Sequence, residues 1–205
     1  PKTTIVGLPD LAVQESKERV QAAIRNAGLD YPRKKVTINL APAELRKEGP
    51  FFDLPIAVGI LSAGGLIPAQ SFENSLIIGE LSLDGSVRHV RGILPITAKA
   101  RQAGFQHIFV PACDAPEASL IQGIEVLPVE SLTTIYQHLT GQTRIKPAEP
   151  IQISQVIPEV STDFRDIQGQ EHVKRALEIA AAGSHNVLMI GPPGTGKTLM
   201  ARALP

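Results

Sequence analysis

Eight residues near the end of the chain carry the clearest chemistry: Gly191-Pro192-Pro193-Gly194-Thr195-Gly196-Lys197-Thr198. They fit the spacing G-x-x-x-x-G-K-[ST], a loop whose glycines let the backbone curl so that successive N–H groups converge on phosphate oxygens. A helix opening at the end of the loop adds the positive end of its dipole. In such a loop Lys197 neutralises the outer phosphates of a nucleotide and the Thr198 hydroxyl ligates Mg²⁺. The alternative is a chance match in an ordinary turn. The surroundings favour phosphate binding, because the apolar run Val187-Leu188-Met189-Ile190 precedes the loop and Leu199-Met200-Ala201 continues after it as a helix.

Other reactive types are weaker candidates. His172 and His185 stand alone and are given no role. Asp163 and Asp166 have the chemistry of metal ligands, but capping of the next helix explains Asp166 more simply. Arg33-Lys34-Lys35, Arg46-Lys47 and the series Lys17, Arg19 and Arg25 offer charge for phosphate contacts. Glu15, Glu18, Glu44 and Glu48 are mixed among them, so a solvated helix face explains the pattern equally well. With 4% aromatic residues, a stacking platform for single strands is not expected in this portion.

The elements that must position these residues read as alternating strands and helices. Thr4 to Leu8 is strand-like, and Asp10 stands as an N-cap. Ala12, Ser16, Val20, Ala23, Ile24 and Ala27 fall at helical spacing before Gly28. Lys35 to Leu40 alternates as a strand. Asp53 to Ala63 reads as an apolar helix ending at Gly64-Gly65. Residues 75–83 and 86–90 read as a hairpin around Asp84-Gly85. A helix over 93–103, a strand over 107–110, a helix near 115–121, a strand over 125–128 and a helix over 131–139 complete a block spanning 1–140. Residues 141–161, with Pro147, Pro150 and Pro158, read as an extended linker. The last part, 162–205, holds a helix from Glu171 to Ala182, a strand from Asn186 to Ile190 and the glycine loop.

The form Gly-Pro-Pro-Gly-Thr-Gly-Lys-Thr resembles the loop of AAA+ ATPases, which implies ATP and Mg²⁺ as ligands. Phe164-Arg165-Asp166-Ile167-Gln168-Gly169-Gln170 resembles the segment that those proteins set beside the adenine, which implies that Ile167 and Gly169 border the base. Glu48-Gly49-Pro50-Phe51-Phe52-Asp53 resembles the surroundings of the nucleophilic serine of Lon-type proteases. Residues 78–105 resemble the hairpin and lysine-bearing helix that follow it. The resemblance implies a ribosomal S5 domain 2-like, Lon-like α/β (α+β) fold lacking its first strands, followed by the first part of a P-loop NTPase module. The serine position falls on Phe51 or Asp53 and the lysine position on Ile96, so a Ser-Lys mechanism is not expected. Ser62 and Lys99 lie nearby but outside the catalytic positions.

A Lon-like block joined to such a loop is similar to one family, the bacterial magnesium-chelatase-like AAA+ proteins of the ComM/YifB type. Ile5 to Asp10 and Glu15 to Val20 are similar to its opening. The resemblance implies a cytoplasmic, hexameric ring ATPase, with DNA as the partner of the members that drive branch migration in natural transformation. Three rivals differ in class: a magnesium-chelatase subunit, which does not usually carry a Lon-like block; an ATP-dependent peptidase; and a non-enzymatic ATP-binding scaffold.

Composition adds exclusions. The chain has 205 residues, 43% hydrophobic, with no formal net charge. No run approaches the roughly 18–20 apolar residues that span a bilayer. One cysteine rules out a disulfide framework within the chain and suits a reducing compartment. The absence of an initiator Met and the stop seven residues after Thr198 read as a fragment of a longer protein. The acidic residue and arginine that hydrolysis requires are then expected beyond Pro205, and the chain alone is expected to be inactive.

Overall fold

The structure is a computed structural model that describes residues 3–7, 11–42, 44, 45, 47, 49–151 and 162–204. The expected Asp10 cap, the Leu8 end of the first strand, the Ala12 side chain, Arg46, Glu48 and the Pro158 part of the expected linker lie outside the described residues. The chain divides into two compact units, Pro1–Ile153 and Ser154–Pro205.

The first unit opens with strand β1 (Thr3–Val6), helix α1 (Leu11–Asn26) and strand β2 (Val36–Asn39). β1 and β2 pair in parallel, Thr3 opposite Val36 and Val6 opposite Asn39. On α1 the residues Val13, Ser16, Val20, Ala23 and Ile24 are buried, a stripe of three- and four-residue steps. Helix α2 (Asp53–Ala63) follows a 3₁₀ turn at Pro50–Phe52. It is apolar nearly all round, and Leu54, Ile56, Ala57, Val58, Ile60 and Leu61 are all buried, as befits a helix inside a core.

The larger sheet is parallel, in the order β3 (Ser75–Ile77), β6 (His107–Pro111), β7 (Glu125–Val129). Its side chains alternate between two cores. Phe109, Leu127 and Val129 face a cluster with Val20, Ile24, Leu54, Leu61, Leu132 and Ile135, the last two from helix α5 (Leu132–Leu139). Ile108, Val110 and Val126 join a second cluster with Ile93 and Ala100 of helix α3 (Ile93–Gln102) and Ala115 and Ala118 of helix α4 (Ala115–Ala118). A sheet with apolar residues on both faces needs helices on both, which is the mixed α/β arrangement seen here.

Two expectations are corrected in this unit. Residues 75–83 do not form one arm of a hairpin. Ser75–Ile77 pairs with β6, and only β4 (Glu80–Leu81) and β5 (Val87–Arg88) form the antiparallel pair. The Asp84-Gly85 turn is present: Gly85 has φ 87°, and Asp84 Oδ1 accepts from the Ser86 N–H at 2.9 Å and its hydroxyl at 2.7 Å. Those bonds hold the Asp84 carboxyl below its ordinary pKa. The helix near 115–121 is shorter, Ala115–Ala118 after a 3₁₀ turn at Ala112–Asp114.

The described part of 141–161 also differs from a free linker. The Ile145 N–H donates to His138 Nδ1 at 2.9 Å, the Ala148 N–H donates to Val126 O at 2.9 Å, and both side chains pack on the two cores. In the second unit, Ile167, Leu177, Met200 and Ala203 are buried together between helix α6 (Glu171–Ala182) and helix α7 (Lys197–Arg202).

Candidate functional site

The glycine loop lies between the segment 186–190 and α7. Gly194 and Gly196 have φ of 81° and 80°, a left-handed backbone that side-chain-bearing residues rarely adopt. A Cβ on Gly191 would come to 3.2 Å from Thr195 Oγ1, so the loop also closes tightly at its start. Gly196 precedes the first turn of α7, and its carbonyl accepts from the Met200 N–H at 2.9 Å. From Gly194 to Leu199, no N–H donates to a backbone carbonyl among the described residues. A row of unpaired donors around two left-handed glycines is the geometry that receives an anion.

Lys197 turns back over this row. Its ammonium donates to Gly191 O at 2.8 Å, Pro192 O at 2.7 Å and Thr195 Oγ1 at 3.3 Å, while the Thr195 hydroxyl donates to Pro192 O at 2.9 Å. All three ammonium donors are thereby placed inside the loop. Thr198 is exposed on the first turn of α7. Unpaired N–H groups, one ammonium and one free hydroxyl are a donor set that fits a polyphosphate with its divalent cation.

A groove of about 470 Å³ runs beside the loop. Gly191, Pro192, Thr195 and Lys197 line one end, and Gln170, His172, Val173 and Ala176 of the α6 region line another. Of the sequence candidates, Pro193, Gly194, Gly196 and Thr198 belong to the loop without lining the groove. Ile167 does not line it either: its side chain is buried against Leu177 and Met200, and its carbonyl accepts from Lys174 Nζ at 2.6 Å. Gly169 has φ 73° and also stands off the groove. Gln170, His172 and Val173 also line the groove, facing residues 187–190 across it, and no local motif marks them.

The strand expected over Asn186 to Ile190 is corrected. No strand pairing involves it, and Leu188 is 83% and Ile190 88% exposed. A strand exists only by pairing, and no strand occurs among the described residues of Ser154–Pro205. Asp166 does not cap α6. Its carboxylate accepts from the Asp163 N–H at 3.1 Å while Asp163 accepts from the Arg165 N–H at 3.0 Å, a reciprocal cap on the 3₁₀ turn Phe164–Asp166.

In the first unit, the positions corresponding to a protease serine and lysine hold no reactive pair. Phe51 and Ile96 pack on the same apolar cluster, and Phe51 lies 4.3 Å from the Phe52 ring. Asp53 is buried and bound by Arg19 through Nε at 2.8 Å and Nη2 at 3.2 Å. That bond, with Asp53's charge, raises the Arg19 pKa against the opposing effect of burial. Of the basic candidates, Arg19 is committed to this pair, and the Lys47 ammonium is buried on the Pro42 and Leu45 carbonyls. Arg25, Arg33, Lys34 and Lys35 are exposed. No helix among the described residues is long and apolar enough to cross a membrane.

Comparison with known proteins places these features. Residues 1–114 match the family model described as subunit ChlI of Mg-chelatase, and residues 163–205 match magnesium chelatase, subunit ChlI. The chain is 44% identical over 204 residues to YifB of Salmonella typhimurium, itself uncharacterized, covering all of this chain and 40% of that protein. It is 42% identical over 207 residues to the competence protein ComM of Haemophilus influenzae, again covering all of this chain and 40% of the relative. Lon protease 2 of Bacillus subtilis is 29% identical over 126 residues, 60% of this chain and 22% of that protease. The chain therefore spans about 40% of the length of its full-coverage relatives. This chain belongs to the magnesium-chelatase-like ChlI family that includes ComM and YifB.

Proposed function

We propose that residues 162–205 open an AAA+ ATPase module, that Gly191 to Thr198 hold the phosphates of ATP, and that the whole protein is an ATP-driven DNA motor. The observation that carries this reading is the loop itself. It combines two left-handed glycines, unpaired N–H groups from Gly194 to Leu199, and an ammonium already folded into the same space. Lys197 would exchange its carbonyl partners for phosphate oxygens, and Thr198 would face the Mg²⁺ that offsets phosphate charge. Ile167 and Gly169 would stand near the base by shaping the approach to α6 rather than by lining the groove.

The first unit is, in this reading, an S5 domain 2-like, Lon-like domain without proteolysis, because Phe51 or Asp53 opposite Ile96 supplies neither nucleophile nor base. The working protein is a cytoplasmic homo-hexameric ring, and DNA is its partner, in line with the competence name of one relative. Contacts from this unit to DNA would fall on Arg25 and Arg33 to Lys35, which are exposed. A second reading, a magnesium-chelatase ATPase subunit, draws on the family descriptions. ATPase assays of the full-length protein separate the two. Stimulation by branched DNA supports the motor; stimulation only by a porphyrin-binding partner supports the chelatase; indifference to both refutes each and leaves a binding scaffold.

A further inference from the structure

A cluster in the first unit has the makings of a metal site. His89 directly follows β5, while Cys113 and Asp114 lie in the 3₁₀ turn between β6 and α4. Nδ1 of His89, Sγ of Cys113 and a carboxylate oxygen of Asp114 lie within 4.8 Å of one another. Asp114 is buried, and its Oδ2 accepts from the Val90 N–H at 2.8 Å, which fixes the carboxylate. Its other oxygen is shared by the two neighbours, with His89 Nδ1 at 2.5 Å and Cys113 Sγ at 3.6 Å.

We infer that His89, Cys113 and Asp114 bind a zinc-class divalent transition-metal ion, clipping the end of the β4–β5 hairpin to the turn before α4. Three arguments support it. First, the two separations from Asp114 Oδ1 are close to those of a tetrahedral site. With metal–N and metal–O near 2.0 Å and metal–S near 2.3 Å, ligand atoms stand about 3.3 Å (N···O) and about 3.5 Å (S···O) apart. The sulfur–oxygen distance already agrees. The histidine nitrogen must retreat by less than about 1 Å, and its side chain, 60% exposed, has the freedom to do so.

Second, the donor chemistry is selective. One imidazole nitrogen, one thiolate and one carboxylate suit zinc and its neighbours rather than Mg²⁺ or Ca²⁺, which take oxygen ligands. Third, the order of the three groups argues against a nucleophilic cysteine. A reactive thiol is activated by a cationic partner such as an imidazolium beside the sulfur, whereas here the Asp114 carboxylate stands between Cys113 and His89. On metal binding two protons move: the Sγ–H proton leaves to solvent, and the proton shared by His89 Nδ1 and the Asp114 carboxylate passes to solvent, leaving His89 neutral, or to Nε2 as the other tautomer. The thiolate, the Nδ1 lone pair and the carboxylate then bond to the ion. His89 and Cys113 are both exposed, so water can take the fourth position.

The test uses the whole chain, reduced and free of chelators and nucleotide. Zn²⁺ binding is measured by calorimetry and Co²⁺ binding by absorption. Cys113 is the single cysteine in the chain, so a thiolate-to-cobalt charge-transfer band can arise from no other residue. The expected result is one Zn²⁺ per chain and a Co²⁺ band that Zn²⁺ displaces. Cys113→Ser should abolish the band. His89→Gln should weaken affinity by at least about tenfold, since even partners outside the ligand shell are worth about 10–100-fold. Both substitutions lie at exposed positions and spare the buried Asp114. Absence of the band, or unchanged Zn²⁺ affinity in either variant, overturns the site.

Discussion

Arg19→Met tests the claim that the Asp53 region serves structure rather than catalysis. Asp53, one of the two positions where a Lon-type serine would fall, is 0% exposed, and the Arg19 side chain is 21% exposed. The pair is bidentate, at 2.8 and 3.2 Å, and the Leu81 N–H adds a third bond to Asp53 at 3.2 Å. Removing Arg19 leaves a buried carboxylate on one N–H. Breaking a buried pair in this way costs about 3–5 kcal/mol, and the partial exposure of Arg19 puts the expectation near the lower end, about 3 kcal/mol. At about 2–4 °C per kcal/mol for a unit of this size, the melting temperature should fall by roughly 6–12 °C. Adding Asp53→Asn removes the stranded charge and keeps an oxygen for Leu81, so the double variant should recover most of the loss. Circular dichroism melts of the chain read both values. A single variant within about 2 °C of the parent, or a double variant no better than the single, would refute the reasoning.

The remaining expectations concern pH and chemistry. His138 accepts the Ile145 N–H on Nδ1, and burial, then the charge of Arg144, holds its pKa below the ordinary 6.5. The unfolded chain therefore takes up the proton first as pH falls. The stabilisation is intact above about 6.5 and is lost as pH drops from there through the folded value. His138→Gln should flatten the stability slope between roughly pH 7 and 5; an unchanged slope in denaturant titrations would contradict this. The full-length protein should show no cleavage of casein or short peptides, and cleavage that disappears on changing Ser62 or Lys99 would overturn the loss of proteolysis.

What could be read from the sequence follows from where the information sits. The α1 stripe and the apolar α2 are written in local periodicity, so Ser16, Val20, Ala23 and Ile24 were identifiable before any contact was known. Ser75–Ile77 was not, because alternation marks a strand without naming its partner, and β6 lies some thirty residues on. The same reason undid residues 186–190, which carry a strand pattern with no strand beside them among the described residues. The loop was legible because glycine encodes its backbone directly. Gln170, His172 and Val173 were not, since no local motif marks them as lining the groove. His89 stands 25 residues from Asp114 in sequence, and it meets the adjacent pair Cys113-Asp114 through the path of β5, β6 and α4.

The central claim is that Gly191 to Thr198 hold the phosphates of ATP, and Mg·ATP binding to full-length protein carrying Lys197→Ala tests it most directly. Lys197 donates three bonds inside the loop. On nucleotide binding these partners would give way to phosphate oxygens, and a net gain of even one charge-assisted bond, about 1.5–3 kcal/mol, implies that the variant loses affinity tenfold or more. The account predicts that loss together with unchanged melting of the first unit. A variant that binds and turns over ATP as the parent does would contradict it.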